Sequence, residues 1–246
     1  MAEHSPHIVH GSVVSAEHKV EARNKSYQYD KGRGVTASVL EGKEISSNFK
    51  RDIDVSWLQA AADTYKISGD INDYVIVDIP SVTIDIPNRN LQAFPYEEVS
   101  FFDNMQGSLV YQTFTGRPTH IDHKNSDPLE AKGVHFDSTL QFVPAYNVWK
   151  IRTLAGFDRT KDQKLVADIL SGRRNGYSMG ALVQNFVCSN CGEVEVIKKP
   201  CRCMAMGKGS IVDSRLVYQL CAGVQFFEQS SVEDPADPTA LSDSIR

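Results

Sequence analysis

The stretch Asn175-Gly176-Tyr177-Ser178-Met179-Gly180 places a serine between two glycines, each two positions away. The spelling G-x-S-x-G is that of the nucleophile elbow of α/β-hydrolases, where the histidine follows the serine in the chain. Here the seven histidines, His4, His7, His10, His18, His120, His123 and His135, all precede Ser178. If Ser178 attacks a carbonyl, its base comes from upstream, on another fold.

That base would come from Gly116 to Asp137, GRPTHIDHKNSDPLEAKGVHFD, a polar loop entered from an apolar strand. Three readings compete for it. A neutral imidazole on His123 can take the proton of the Ser178 hydroxyl near neutral pH. Alternatively His120, Asp122, His123 and His135 ligate a metal, because His-x-Asp-His resembles part of the motif of metallo-β-lactamase-type hydrolases; no histidine follows 135 to complete it. In the third reading these histidines only bond backbone groups in a turn.

A second cluster is Cys188, Cys191, Cys201 and Cys203, spaced C-x2-C-x9-C-x-C with Gly192 after the first pair. Two thiolate hooks on a short hairpin can enclose a tetrahedral zinc ion, and four thiolates leave no open position, so the metal would be structural and none would serve catalysis. Four ordinary loop thiols are the alternative. Cys221, in an apolar stretch, reads as a core residue. His4, His7 and His10 could bind metal but read more simply as solvated tail residues.

The elements that must carry these groups are mostly strands. DYVIVDIPSVTIDI, GSLVYQTFTG, VHFDSTLQFV, NVWKIRTLAGF, YSMGALVQNFV, SRLVYQL and GVQFFEQSSV read as strands, with Pro80 marking an edge or bend and Pro144-Ala145-Tyr146 a hairpin connection. Two helices are predicted. One lies in SWLQAAADTYKI, with Trp57, Ala60, Ala61 and Tyr65 on one stripe, and one in RTKDQKLVADILSG, with Leu165, Val166, Ile169 and Leu170 inward and Gly172 as cap. Residues 1–34 form a flexible arm and 236–246 a flexible tail around a domain at 35–235, with the cysteine insertion at 188–203. The fold class is mainly β with flanking helices, an antiparallel barrel or sandwich. A net charge of −5 offers no basic stripe for nucleic acid, and no run is long and apolar enough for a signal peptide or a membrane span, so a soluble intracellular protein is expected.

Taken together, these segments resemble the prohead (procapsid maturation) proteases of tailed bacteriophages, which share the fold of herpesvirus assemblin proteases. The resemblance lies in the histidine after a Gly-x-Pro stretch at 116–123, in the strand ending Asp158-Arg159 that leads through a helix to Ser178-Met179-Gly180, and in FFEQSSVEDPADPTA, similar to a Glu-x-Ser-x-Val and Pro-Ala signature. It runs from about Asp73 to Ala240. Relatives carry a similar Cys-x-x-Cys-Gly, often with Cys-x-His where this chain has Cys201-Arg202-Cys203.

The resemblance implies an assemblin-like antiparallel β-barrel with a zinc-binding insertion. It also implies a serine endopeptidase with Ser178 as nucleophile, His123 as base and Glu228 as third member, Asp158 being the alternative third. Substrates would be phage scaffolding and major capsid proteins, with room for self-cleavage and a homo-oligomer, inside the assembling procapsid in the bacterial cytoplasm. A non-catalytic capsid component keeping the protease fold, and a metal-dependent hydrolase using His120 and His123, are the alternatives.

Overall fold

The computed structural model describes residues 7–10, 38–40, 55–195 and 199–241. Most of the N-terminal arm, with His4 and His18, and residues 242–246 lie outside the described residues; His7 and His10 fall on a strand described by its backbone.

The strands are β1 (His7–His10), β2 (Ser38–Leu40), β3 (Tyr74–Thr83), β4 (Gln92–Ala93), β5 (Phe102–Asp103), β6 (Ser108–Leu109), β7 (Pro118–Ile121), β8 (Gly133–Val143), β9 (Val148–Asp158), β10 (Gly176–Cys188), β11 (Ile211–Val212), β12 (Arg215–Leu216) and β13 (Gln219–Val232). The helices are α1 (Leu58–Tyr65), α2 (Tyr96–Val99), α3 (Gln163–Leu170) and α4 (Arg202–Ala205).

The main sheet runs β1-β10-β13-β7-β8-β9-β3-β2, with β4 beside β13. This corrects the expected antiparallel barrel in two respects. The sheet is mixed, because β13 runs parallel to both β7 and β4. Its hydrogen-bonded path is open among the described residues, ending at β1 and β2. The sheet curls so that β10 meets β3 through side chains rather than backbone bonds: Tyr177 shares a buried cluster with Val75, Val77 and Ile79, roofed by Leu165, Val166 and Ile169 of α3.

Local chemistry explains most elements. In β3, Pro80 sits where the register with β9 shifts between Ile79 and Val82, the bulge position at which a strand tolerates a missing N–H. Asp162 caps α3 by accepting from the Leu165 N–H at 2.9 Å, and Gly172 follows its end at φ +72°. Leu170, expected inward, is exposed.

Two strands came out differently. GSLVYQTFTG forms only β6 before a 3₁₀ turn at Val110–Phe114, which turns Val110, Thr113 and Phe114 into the core together. Phe114 stacks on Phe226 of β13 with centroids 4.4 Å apart, a packing an extended strand would not give. SRLVYQL is broken at Val217-Tyr218, giving the two residues of β12 and then Gln219 and Leu220 as the start of β13, which takes in Cys221, fully buried as expected.

On α1 the most buried residues are Leu58 and Ala62, one position from the predicted stripe, with Trp57 and Ala61 packing at its side. The segment after β13 is packed. Asp237, 1% exposed, accepts from the Thr83 hydroxyl at 2.7 Å and lies 3.6 Å from the buried Lys150 ammonium, whose Nζ also donates to Thr83 and Thr239. Beyond it, the Tyr177 N–H donates to the Ala240 carbonyl at 2.9 Å, and Leu241 bridges Gly176.

Candidate active site and cysteine cluster

Ser178 enters the site through strand register. On β10 it pairs directly with Ser230 of β13, and Gly180 pairs with Glu228. Directly opposed antiparallel residues project to one face with Cβ atoms about 4.5–5.5 Å apart, and residues two apart share that face. Ser178, Ser230 and Glu228 therefore share one face. Tyr177 and Met179 point the other way, into the core.

Between Gly180 and Ala181 the register shifts, because Phe227 is an extra residue on β13. This bulge aims Phe227 and Glu228 together at Gly180: a Cβ there would lie 2.5 Å from Glu228 Oε1 and 2.8 Å from Phe227 Cζ. Glycine at 180 makes the room in which the carboxylate sits.

On the other side of β13, His120 of β7 lies in the row of Ser230. After Ile121 the chain reverses in a tight turn. Asp122 and His123 both take positive φ, +50° and +56°, and the Lys124 N–H closes onto the Ile121 carbonyl at 3.0 Å, the pattern of a type I′ turn. Such a conformation costs about 1–3 kcal/mol per non-glycine residue and persists where surrounding contacts enforce it. Here they are specific. The Asp122 N–H donates to the Ser231 carbonyl at 3.0 Å, the His123 N–H to Ser230 Oγ at 3.0 Å, and the Asp122 carboxylate is held by Arg174 at 2.5 Å.

The turn brings the His123 ring onto Glu228. Nδ1 lies 2.7 Å from Oε1, and the second carboxylate oxygen accepts from the Ser230 hydroxyl at 2.9 Å. Glu228 is fully buried, while the histidine side chain keeps 23% exposure and Ser178 3%. A carboxylate accepting from Nδ1–H fixes the tautomer and leaves Nε2 as the basic nitrogen. In this state the ring can take a proton from a hydroxyl while the buried carboxylate balances the imidazolium.

The other sequence candidates have other partners. His135 is fully buried, with Nδ1 3.1 Å from the Arg117 carbonyl and Nε2 3.0 Å from Gln229 Oε1 in a polar cluster with Ser81 and Thr153. Burial pushes its pKa down, countered by those hydrogen bonds. His120 is also buried and its pKa is lowered chiefly by desolvation, against the pull of the Glu228 carboxylate. Asp122 is engaged by Arg174. Among the described residues these groups do not assemble as metal ligands; the cysteines are the group that does.

Asp158 serves structure. Its Oδ1 accepts from the Thr160 N–H and hydroxyl, and its Oδ2 from the Ser68 N–H at 2.7 Å, fastening the end of β9 to the loop after α1. Ser230 and Arg174 were not singled out from sequence. Position 230, two residues from Glu228 on the same strand, is the signal that could have found the first.

The sulfurs of Cys188, Cys191, Cys201 and Cys203 all lie within 4.8 Å of one another. A tetrahedron of thiolates at about 2.3 Å from a metal needs sulfurs roughly 3.8 Å apart, so the set fits and can hold an ion. Gly192 at φ +75° follows the first hook, and its N–H donates to the Cys188 carbonyl at 2.9 Å. The Asn190 amide donates to Cys203 Sγ at 3.5 Å and to the Val212 carbonyl at 3.1 Å. Met204, Val212 and Val217 pack around three of the cysteines as a small separate core.

No protein-family model and no curated protein matches this chain. Among solved structures it is similar to the bacteriophage T4 capsid assembly protease, gp21, with 15% identity and a TM-score of 0.38 over 65% of this chain and 81% of that one. Among the described residues no helix is long and apolar enough to cross a membrane.

Proposed function

We propose that this chain is a serine endopeptidase of the phage head-maturation type, cleaving scaffolding and major capsid proteins inside the immature head and open to cleaving itself. The observation that carries the reading is the His123–Glu228 contact on the face from which Ser178 projects. The capsid substrates rest on the sequence resemblance.

The His123–Glu228 contact supports the following mechanism. Glu228 holds Nδ1 protonated, so Nε2 of His123 accepts the Ser178 proton as Oγ attacks the scissile carbonyl. The proton then passes to the leaving amine, and water activated by the same nitrogen hydrolyses the acyl-enzyme. The buried carboxylate stabilises the imidazolium in both halves without becoming protonated itself.

We further assign a structural zinc ion to Cys188, Cys191, Cys201 and Cys203. When bound, the ion supplies folding energy to the insertion and leaves no coordination position for substrate.

The test is fluorophosphonate labelling of the purified protein, mapped by peptide mass. One adduct on Ser178, lost in His123→Ala while circular dichroism stays unchanged, is the expected result. A folded protein that never labels would turn the reading towards a capsid component without chemistry.

A further inference from the structure

We infer that Ser230 is a positioning residue for this site, its hydroxyl setting the carboxylate of Glu228 and the turn that carries His123 in one geometry; the inference rests on the serine-protease reading. Three observations meet at this side chain. It is fully buried, it donates to Glu228 Oε2 at 2.9 Å, and it accepts the His123 main-chain N–H at 3.0 Å. It is also the direct cross-strand partner of Ser178.

A carboxylate that grips an imidazole by one oxygen can still swing about its own axis. With Oε2 held by Ser230, the plane of the carboxylate is fixed and Oε1 stays directed at Nδ1. The second bond works on the backbone. The His123 N–H sits in a strained turn and would need another acceptor if Ser230 lacked its oxygen, and an unmet donor there would favour a different turn. One hydroxyl thus orients the acid through its proton and the base through its lone pair. Its proton is committed to Glu228, so it serves Ser178 without competing as a nucleophile.

A residue that only packs the sheet would alter stability and leave the titration of the site alone. Hydrogen bonds donated to a carboxylate favour its charged form, so without the Ser230 hydroxyl the Glu228–His123 pair holds a proton more tightly, whichever partner carries it. The acid limb of the reaction therefore moves to higher pH in Ser230→Ala.

The experiment measures the rate of fluorophosphonate capture at Ser178 across pH for the full chain and for Ser230→Ala, Ser230→Cys and Ser230→Thr. The expected result is a fall on the order of 10- to 100-fold in Ser230→Ala near neutral pH, the loss of a charge-assisted hydrogen bond. Its acid limb shifts upward, Ser230→Thr restores both, and Ser230→Cys, a weaker donor, falls between. An Ala variant that keeps the wild-type rate, or one that slows without any movement of the limb, overturns the inference while leaving the protease reading intact. A wild-type chain that is not labelled at all overturns that reading and the inference with it.

Discussion

His123 Nδ1 and Glu228 Oε1 stand 2.7 Å apart although the two residues are separated by 105 positions in the chain. The parallel pairing of β7 with β13 closes that distance, delivering the turn at 122–123 beside the strand that carries the acid.

Replacing Glu228 with Gln keeps the shape and removes the charge. The amide can donate to Nδ1, which then presents a proton rather than a lone pair from Nε2. The expected loss is roughly 10²–10⁴-fold in the rate of Ser178 acylation, with little change in substrate affinity. Single-turnover kinetics on a peptide substrate would measure it; a variant within a factor of about two of wild type would remove Glu228 from the mechanism.

Gly180→Ala places a methyl 2.5 Å from the oxygen that holds His123. The carboxylate or Phe227 must move, and displacements near 1 Å can cost about 10²-fold in rate. We expect kcat to fall by that order, with a stability cost of about 1–3 kcal/mol from overpacking. Paired urea melts and kinetics would show whether the rate suffers beyond what partial unfolding explains.

Arg174→Gln releases the Asp122 carboxylate, which is 47% exposed. A pair this wet contributes at most about 1 kcal/mol to stability, so the melting temperature should barely move. Activity should drop about tenfold, because the strained turn loses one of its outside holds. Unchanged activity would show that the Ser230 and Ser231 contacts suffice.

The cysteine site predicts about one zinc per chain by elemental analysis. Chelation, or Cys188→Ser at the fully buried position, should destabilise the protein by more than about 3 kcal/mol. Labelling of Ser178 should persist in chelator until the fold melts. Immediate loss of labelling in a folded, metal-free protein would place the metal in the chemistry instead.

Acid should weaken the fold through two histidines. Burial holds His120 and His135 below their ordinary pKa, so below about pH 6.5 the unfolded chain binds protons that the folded chain refuses. Stability is complete above that pH and declines as pH falls, by up to about 1.4 kcal/mol per pH unit for each histidine. Urea midpoints compared between about pH 7 and pH 5 measure the decline, and replacing His135 with Gln should flatten it.

Alternation and β-branching made the long strands legible in the sequence, and Asp162 and Gly172 sit at the ends of α3 as capping chemistry dictates. The order of the strands was not legible. Parallel pairing of β13 with β7 depends on contacts far apart in the chain, which no local pattern encodes. Barrel closure failed for the same reason: alternation says which face of a strand is buried and is silent about whether its edge finds a partner. Within the candidate site, residue type and resemblance pointed to Ser178, His123 and Glu228, and the fold brings the last two into contact. Ser230 could not, because a serine's role is set by the two atoms it touches, and both arrive through folding.

The docking of Asp237 and Ala240 sets a boundary for anyone who trims or tags this molecule. A cut before residue 237 would strip the Lys150 ammonium of its buried counter-charge and uncover the start of β10, so it would behave as a destabilising nick. A fusion placed beyond Leu241 leaves that clasp closed. Residues 237–241 therefore belong to the body of the protein as firmly as any strand of its sheet.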